Sequence, residues 1–335
     1  MKLKIGVYNV EWMRALFNKD GSPIISGEKF ERSQKLASIL KKMNLDFLGI
    51  VEGPDTLADG SKTAAIQLEN WVEEFGLNLN YKGVNGTHSR GQQELCALYD
   101  SSKISVDFTP TLSSKNQFDQ PFLVDTTNKL IKEQYKHFRP PLELSIKSNT
   151  SNLEFAKVII AHTKSKGIFS AVDYAKFEQI SARDRMRLYA ECMSIRLKCD
   201  EYIENGSEVI VMGDINDGIG MDFYENKFSK SAVEILLGDV WETDKILKSV
   251  IVKPKWTSYG WKPSSSRFTD RITEDKVNVL IDHIMVSKGI SFENGKVWNP
   301  YELKNDLEVQ ELKTDLKKAS DHFPISVAVE NSKIN

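Results

Sequence analysis

Four apolar runs in this chain each end on a single polar residue of a chemically useful type. The run through Leu3, Ile5 and Val7 leads into Asn9, and Phe47-Leu48-Gly49-Ile50-Val51 leads into Glu52. Val158-Ile159-Ile160-Ala161 leads into His162, and Val209-Ile210-Val211-Met212-Gly213 into Asp214. Short apolar runs of this kind read as buried strands. Counting by two puts Asn9 on the face of Val7, Glu52 with Ile50, His162 with Ile160 and Asp214 with Met212. One such residue is usually a satisfied structural group. Four of them, supplying an amide, two carboxylates and an imidazole, point to a site built where rigid strands hand over to loops.

Helical periodicity fills the intervals. A helix is predicted over 28–44, with Leu36, Leu40 and Met43 on one face, and another over 62–75, with Ala64, Leu68, Trp71, Val72 and Phe75 in register. Gly76 stands where a left-handed cap is expected. A third helix spans 170–204, with Ala182, Met186, Tyr189, Met193 and Leu197 as its apolar stripe and Asn205-Gly206 as its stop. Further strands are predicted at 95–99, 142–147, 155–161, 208–212, 278–286 and 323–329, while 110–140 and 216–278 read mostly as loops. Interleaving of this kind indicates a layered α/β protein.

Length alone, 335 residues, would allow two domains. No repeat, low-complexity tract or Pro/Gly/Ser-rich linker marks a boundary, and candidate site residues run from Asn9 to His322. One large domain over 1–335 is therefore expected. Lys and Arg number 45 against 47 Asp and Glu, a net charge of −2, with 40% hydrophobic residues. That balance excludes a disordered chain and disfavours a protein held to nucleic acid by bulk charge. No apolar stretch reaches the ~18 residues of a membrane span. Cys96, Cys192 and Cys199 are odd in number and form no C-x-x-C pair, which speaks against a disulfide framework or a zinc site. These features together suggest a cytoplasmic protein.

Three of the five histidines fall near polar motifs: His162, and the neighbours in Asp282-His283 and Asp321-His322. Adjacent residues on a strand face opposite ways, so an Asp of one pair is better placed to orient the His of the other. His88 and His137 read as surface residues, and Arg183, Arg185 and Arg187 as a solvated helix face. Lys164 and Lys166 stand close enough to His162 to steer an anion. Trp256 to Trp261, with Arg267 and Arg271 beyond, either stack bases of a single strand or pack a loop under the sheet.

Taken in order, the motifs resemble the endonuclease/exonuclease/phosphatase superfamily, the deoxyribonuclease-I-like metal-dependent phosphoesterases. The matching stretches are Tyr8-Asn9-Val10-Glu11-Trp12, Leu48-Gly49-Ile50-Val51-Glu52, His162-Thr163-Lys164-Ser165 and Gly213-Asp214-Ile215-Asn216-Asp217. Ile281-Asp282-His283-Ile284 and Ser320-Asp321-His322-Phe323-Pro324 complete the set, and Arg139-Pro140-Pro141-Leu142 is similar to a stretch of bacterial members with the His-x-Lys-Ser signature. The resemblance implies an α-β-β-α sandwich of two packed mixed sheets flanked by helices. It also implies a Mg²⁺ or Mn²⁺ ion on Glu52, Glu11 and Asp321. Asp214 would position or deprotonate the attacking water, Asn216 and Asn9 would hold the phosphate, and Asp282 would orient His322. His162 would assist at the leaving group, and Lys164 would help to bind the anion. Hard carboxylate oxygens suit these ions, and hydrolysis of a phosphate ester needs charge neutralisation and an activated water.

Two departures narrow the reading. Glu11 replaces the commoner Asp, and Pro54 stands where the DNA-repair branch has Lys. The implied activity is hydrolysis of phosphodiester bonds, most readily in DNA or RNA. The alternatives are a phosphatase or phosphodiesterase for a small molecule or lipid headgroup, and an inactive binding module on the same fold. The module is disfavoured because every position it would have lost is present.

Overall fold

The first strand, β1 (Lys2–Asn9), starts with Lys2 and Lys4 exposed and Leu3 and Ile5 buried, then is buried throughout from Gly6 to Asn9. In the computed structural model the described residues are 1–88, 93–110, 117–127, 129–168, 174–218, 225–251, 263–269, 274–293 and 295–334. After β1 come α1 (Gly27–Met43), β2 (Phe47–Val51), α2 (Ala64–Glu74), β3 (Tyr81–Asn85), β4 (Cys96–Asp100) and β5 (Ile104–Phe108). A short hairpin, β6 (Phe122–Val124) and β7 (Glu133–Tyr135), precedes β8 (Leu142–Ser148), β9 (Glu154–His162) and the long α3 (Tyr174–Glu204). Next are β10 (Val209–Asp214), α4 (Ala232–Leu237), β11 (Lys248–Ser249), β12 (Ser266–Thr269), β13 (Lys276–Val279) and β14 (Asp282–Val286). The last elements are β15 (Ile290–Phe292), β16 (Lys296–Val297), α5 (Leu307–Glu311), α6 (Lys313–Ala319) and β17 (Ile325–Asn331).

Two mixed sheets organise these elements. One runs β15-β17-β1-β2-β4-β3, with β16 also on β17, and the other runs β11-β14-β10-β9-β8-β5. Each has one parallel pair near its middle, β1 with β2 and β9 with β10, and the remaining described pairings are antiparallel. The sheets pack face to face, so that Val7, Ile50, Ile160, Met212, Ile284 and Ile325 share one core. Gly49 marks how closely they approach, since a Cβ there would lie 2.8 Å from the Met212 Sδ. The alternate residues Ile159, Val211 and Met285 face the other way, onto Leu188, Tyr189, Cys192 and Ile195 of α3. With α1, α2 and α6 across the first sheet and α3 and α4 across the second, the layers run α-β-β-α, the sandwich expected from the motifs.

Local chemistry explains the boundaries. Thr63 caps α2 by accepting from the Ile66 amide, and Gly76 follows with φ 60°. Gly206, with φ 84°, ends the turn after α3. Other expectations are corrected. Tyr189 of the predicted stripe is buried on α3 together with Leu188, Cys192, Ile195 and Cys199, while Leu197 is exposed. The predicted strand at 278–286 divides into β13 and β14. His137 is buried rather than on the surface, where it hydrogen bonds with Ser194 on α3 and packs against Phe118 and Phe122. Burial, followed by the charge of Arg187, pushes its imidazole down to about 3. Arg185 is likewise buried, donating to Ser181. No helix among the described residues is long and apolar enough to cross a membrane. Trp256, Trp261 and Arg271 lie outside the described residues.

Candidate active site

The two parallel pairs end on the same edge of the sandwich, and Asn9 joins them. Its amide donates across the seam to Asp214 Oδ2 at 3.0 Å, while its Oδ1 accepts from the Glu11 amide at 3.1 Å. Asp214 lies opposite His162 in one register and Asp282 in the other. The Asn216 amide donates to Asp214 Oδ1 at 2.9 Å, and the Asn216 side chain donates to the Thr163 carbonyl at 3.0 Å. Gly213 permits this geometry. Its φ is 144°, and a Cβ would fall 1.9 Å from the Ala161 carbonyl oxygen on β9. Gly213→Ala should therefore push β10 off β9 and move Asp214. Loss of soluble folded protein, or at least a large fall in melting temperature by circular dichroism, is the expected result.

His322 completes this half. Its Nδ1 donates to Asp282 Oδ2 at 2.7 Å, and Ser265 Oγ donates to the same oxygen at 2.7 Å. Its Nε2 lies 3.9 Å from Asp214 Oδ2, and the His162 Nε2 is 3.6 Å from that oxygen. Burial alone would lower the His322 imidazole. The carboxylates of Asp282, Asp214 and Asp321 overcome burial and hold it up at about 10. Burial raises Asp214, helped by the charge of Asp282 and opposed by His322, to about 7. His162 is driven the other way by burial and by the charges of Arg139 and His322. It is therefore a neutral imidazole, with a buried Nδ1 that has no hydrogen-bond partner among the described residues.

The second half of the edge is acidic. The Trp12 amide donates to Glu52 Oε2 at 3.0 Å, and the Asp321 amide to Glu11 Oε2 at 3.3 Å. Burial raises the Glu11 carboxyl, the charges of Asp321 and Glu52 raise it further, and Arg32 works against them. The three carboxylates therefore lie within electrostatic reach of one another, although among the described residues they do not draw close enough together to form a ready ion site. Among the described residues the group that does place its ligand atoms within 4.8 Å of one another, close enough to hold an ion, is Asp214, Asp282 and His322. There the carboxylates also hold the His322 imidazole up at about 10, so a protonated ring and an ion would answer the same negative charge.

Backbone strain accompanies these positions. Glu11, Trp12, Glu52 and Asn216 all have left-handed φ values, between 46° and 58°. Non-glycine residues adopt such angles at a cost of about 1–3 kcal/mol each, and they concentrate at functional sites.

Of the residues singled out from sequence, Asn9, Glu11, Glu52, His162, Asp214, Asn216, Asp282, Asp321 and His322 gather along this edge. Lys164 does not join them. Its ammonium donates to the Ser165 carbonyl at 2.7 Å and pairs with Asp184 of α3 at 3.2 Å. Lys166 is similarly held, 2.6 Å from Asp217 and 2.9 Å from Glu225. His283 faces away and donates from Nε2 to the Asp217 carbonyl at 2.8 Å. Sequence reasoning passes over Arg139 as a site residue, although its Arg-Pro-Pro stretch is the available signal. Burial pulls its guanidinium down while Glu52, Asp214, Glu191 and Asp55 pull it up, so it lies within electrostatic reach of a carboxylate from each half. A hydrogen bond of 2.6 Å to Gln93 Oε1 fixes it.

No family model and no curated protein matches the sequence. Solved structures do. A conserved protein of unknown function from Enterococcus faecalis V583 is 14% identical, with 98% of this chain and 100% of that chain covered at a TM-score of 0.50. An endonuclease/exonuclease/phosphatase family protein from Bacteroides thetaiotaomicron is 15% identical over 98% and 97% of the two chains, with a TM-score of 0.48. A mannosyl-6-phosphatase from Bacteroides thetaiotaomicron VPI-5482 is 13% identical over 98% and 99%, also at 0.48. At these identities the likeness is one of fold.

Proposed function

We propose that this protein is a divalent-metal-dependent phosphoester hydrolase whose substrate is a phosphodiester, DNA or RNA before other classes. The observation that carries the reading is the Asn9 bridge. It sets the buried Asp214, with the hydrogen-bonded Asp282–His322 pair next to it, beside Glu11, Glu52 and Asp321. On this reading 1–335 acts as one catalytic unit, because the site draws its residues from Asn9 through to His322. We place its activity in the cytoplasm, a compartment that suits three free, buried cysteines.

Hydrolysis of a diester needs a water to lose a proton, negative charge to be neutralised on the phosphoryl oxygens, and a leaving oxygen to be stabilised. Asp214 is the base. With a carboxyl near 7 it is ionised often enough to act and basic enough to take a proton from water. The Asn9 amide and the Asn216 backbone fix its two oxygens, so its remaining lone pairs point along defined directions. His322, kept protonated and aimed by Asp282, donates to a phosphoryl oxygen. Arg139 adds a second, permanent charge, and Asn216 holds the phosphate beside it. Neutral His162 supports the leaving oxygen. A Mg²⁺ or Mn²⁺ ion on Glu52, Glu11 and Asp321 would supply further charge neutralisation and orient a phosphoryl oxygen. Lys164 has no part in this scheme, because Asp184 holds it.

The test is hydrolysis of bis(p-nitrophenyl) phosphate, single-stranded and duplex DNA, RNA and phosphomonoesters with Mg²⁺ or Mn²⁺. Diester cleavage that disappears in EDTA and returns with added metal is expected. Full activity in EDTA overturns the metal assignment, and cleavage of monoesters alone replaces the nuclease with a phosphatase.

A further inference from the structure

On the His322 side of the site, two cations close on one tyrosine ring. The Arg267 guanidinium carbon lies 4.0 Å from the centroid of Tyr301, and the Lys317 Nζ lies 4.2 Å from it. The ring is itself fixed, packed edge-on against Phe323 at 6.1 Å. Neither cation is in an ion pair among the described residues. The nearest acidic neighbour in sequence, Glu302, is turned to Ser264 and Asn299 instead. Two cations held near one ring without an ion pair among the described residues repel each other, and an anion relieves that repulsion.

The patch is joined directly to the catalytic row. Ser266 bridges His322 in an antiparallel pairing, and the Arg267 amide donates to the Asp321 carbonyl at 2.9 Å. Arg267 stands two residues, about 7 Å of extended chain, beyond the Ser265 that holds Asp282. A group at the patch would thus sit one short step from the reacting phosphate.

We propose that Arg267, Lys317 and Tyr301 form a binding site for a non-scissile phosphate of the substrate. The inference rests on the phosphodiester reading and sharpens it: the substrate carries several phosphates in a chain, as a single strand of nucleic acid does. Stacking on Tyr301 holds the Arg267 side chain in place, and Lys317 adds a point charge.

The experiment compares wild type with the double variant Arg267→Gln/Lys317→Gln, loaded with Mg²⁺ or Mn²⁺. The substrates are a single-stranded dodecamer and bis(p-nitrophenyl) phosphate. The variant should raise KM for the dodecamer by about tenfold, at nearly unchanged kcat. The dependence of log KM on log salt should flatten by roughly 0.7 for each phosphate that is no longer neutralised. Kinetics on bis(p-nitrophenyl) phosphate should not move. An unchanged dodecamer KM and salt slope overturn the proposal. So does an equal loss on both substrates, which marks a structural role beside Phe323. If wild type hydrolyses neither substrate, the phosphodiester reading falls on its own. The patch is then judged by fluorescence anisotropy of the labelled dodecamer: about tenfold weaker binding by the variant supports it, and equal binding rejects it.

Discussion

Asp214→Asn is expected to lower phosphodiester turnover by ~10²–10⁴-fold while leaving the protein folded. The amide is nearly isosteric and its one oxygen can still accept from either Asn9 or Asn216, but it cannot take a proton from water. Asp214 also sets the acid limb of the pH profile. Its carboxyl is raised to about 7 by burial and by Asp282, so wild-type activity should climb as pH rises through that value. The residual activity of Asp214→Asn should lack this limb. Initial rates between pH 5 and 9, with circular dichroism as the folding control, decide the matter. A variant with wild-type rates would remove Asp214 from the chemistry.

The second large effect is expected at His322. His322→Gln removes the charge that separates Asp214 from Asp282, two carboxylates that face each other in register. Breaking a buried pair by deleting one partner costs about 3–5 kcal/mol, so a lower melting temperature should accompany loss of turnover. The pH dependence follows from the direction of the shift. The imidazole is held at about 10 when folded, above its ordinary 6.5. Its contribution to stability is therefore complete below pH 6.5 and is lost as pH rises through about 10. The gap in melting temperature between wild type and variant should be widest near pH 6 and should narrow steadily toward pH 10. A gap independent of pH would mean that His322 is not protonated in the folded protein.

Much of this is legible in the residues, for physical reasons. A buried strand writes its length and its polar terminus directly into the sequence, and so Asn9, Glu52, His162 and Asp214 are recognisable as strand ends. Alternation of side chains shows that an Asp of one pair suits the His of the other, the resemblance selects Asp282 with His322, and the 2.7 Å separation matches it. Contacts made across the fold are less visible. Nothing near Lys164 indicates that Asp184 captures it, because the two meet only when α3 packs on the second sheet. His137 looks exposed for the same reason: the aromatic residues that bury it belong to the hairpin of β6 and β7 and the segment before it, and strands of three residues are too short to show a period. The apolar stripe of α3 is partly misplaced by simple periodicity because Cys192 and Cys199, which it does not select, are among those that face the sheet. Arg139 carries its signal in a motif, but its neighbours Glu52 and Asp214 come from elsewhere in the chain.

The seam bridged by Asn9 has a consequence for timing. Asp214 and Asp282 belong to one sheet, whereas His322 and the acidic group flank strands of the other, and β17, which follows His322, pairs with β1. Pairings between such distant segments form late and slowly in folding. No partly folded chain contains both halves of the apparatus, so the polypeptide is inert until its last strand closes the first sheet. Cleavage of substrate would then report the completed molecule alone, and a refolding experiment should recover activity with the slowest phase, after most secondary structure has returned.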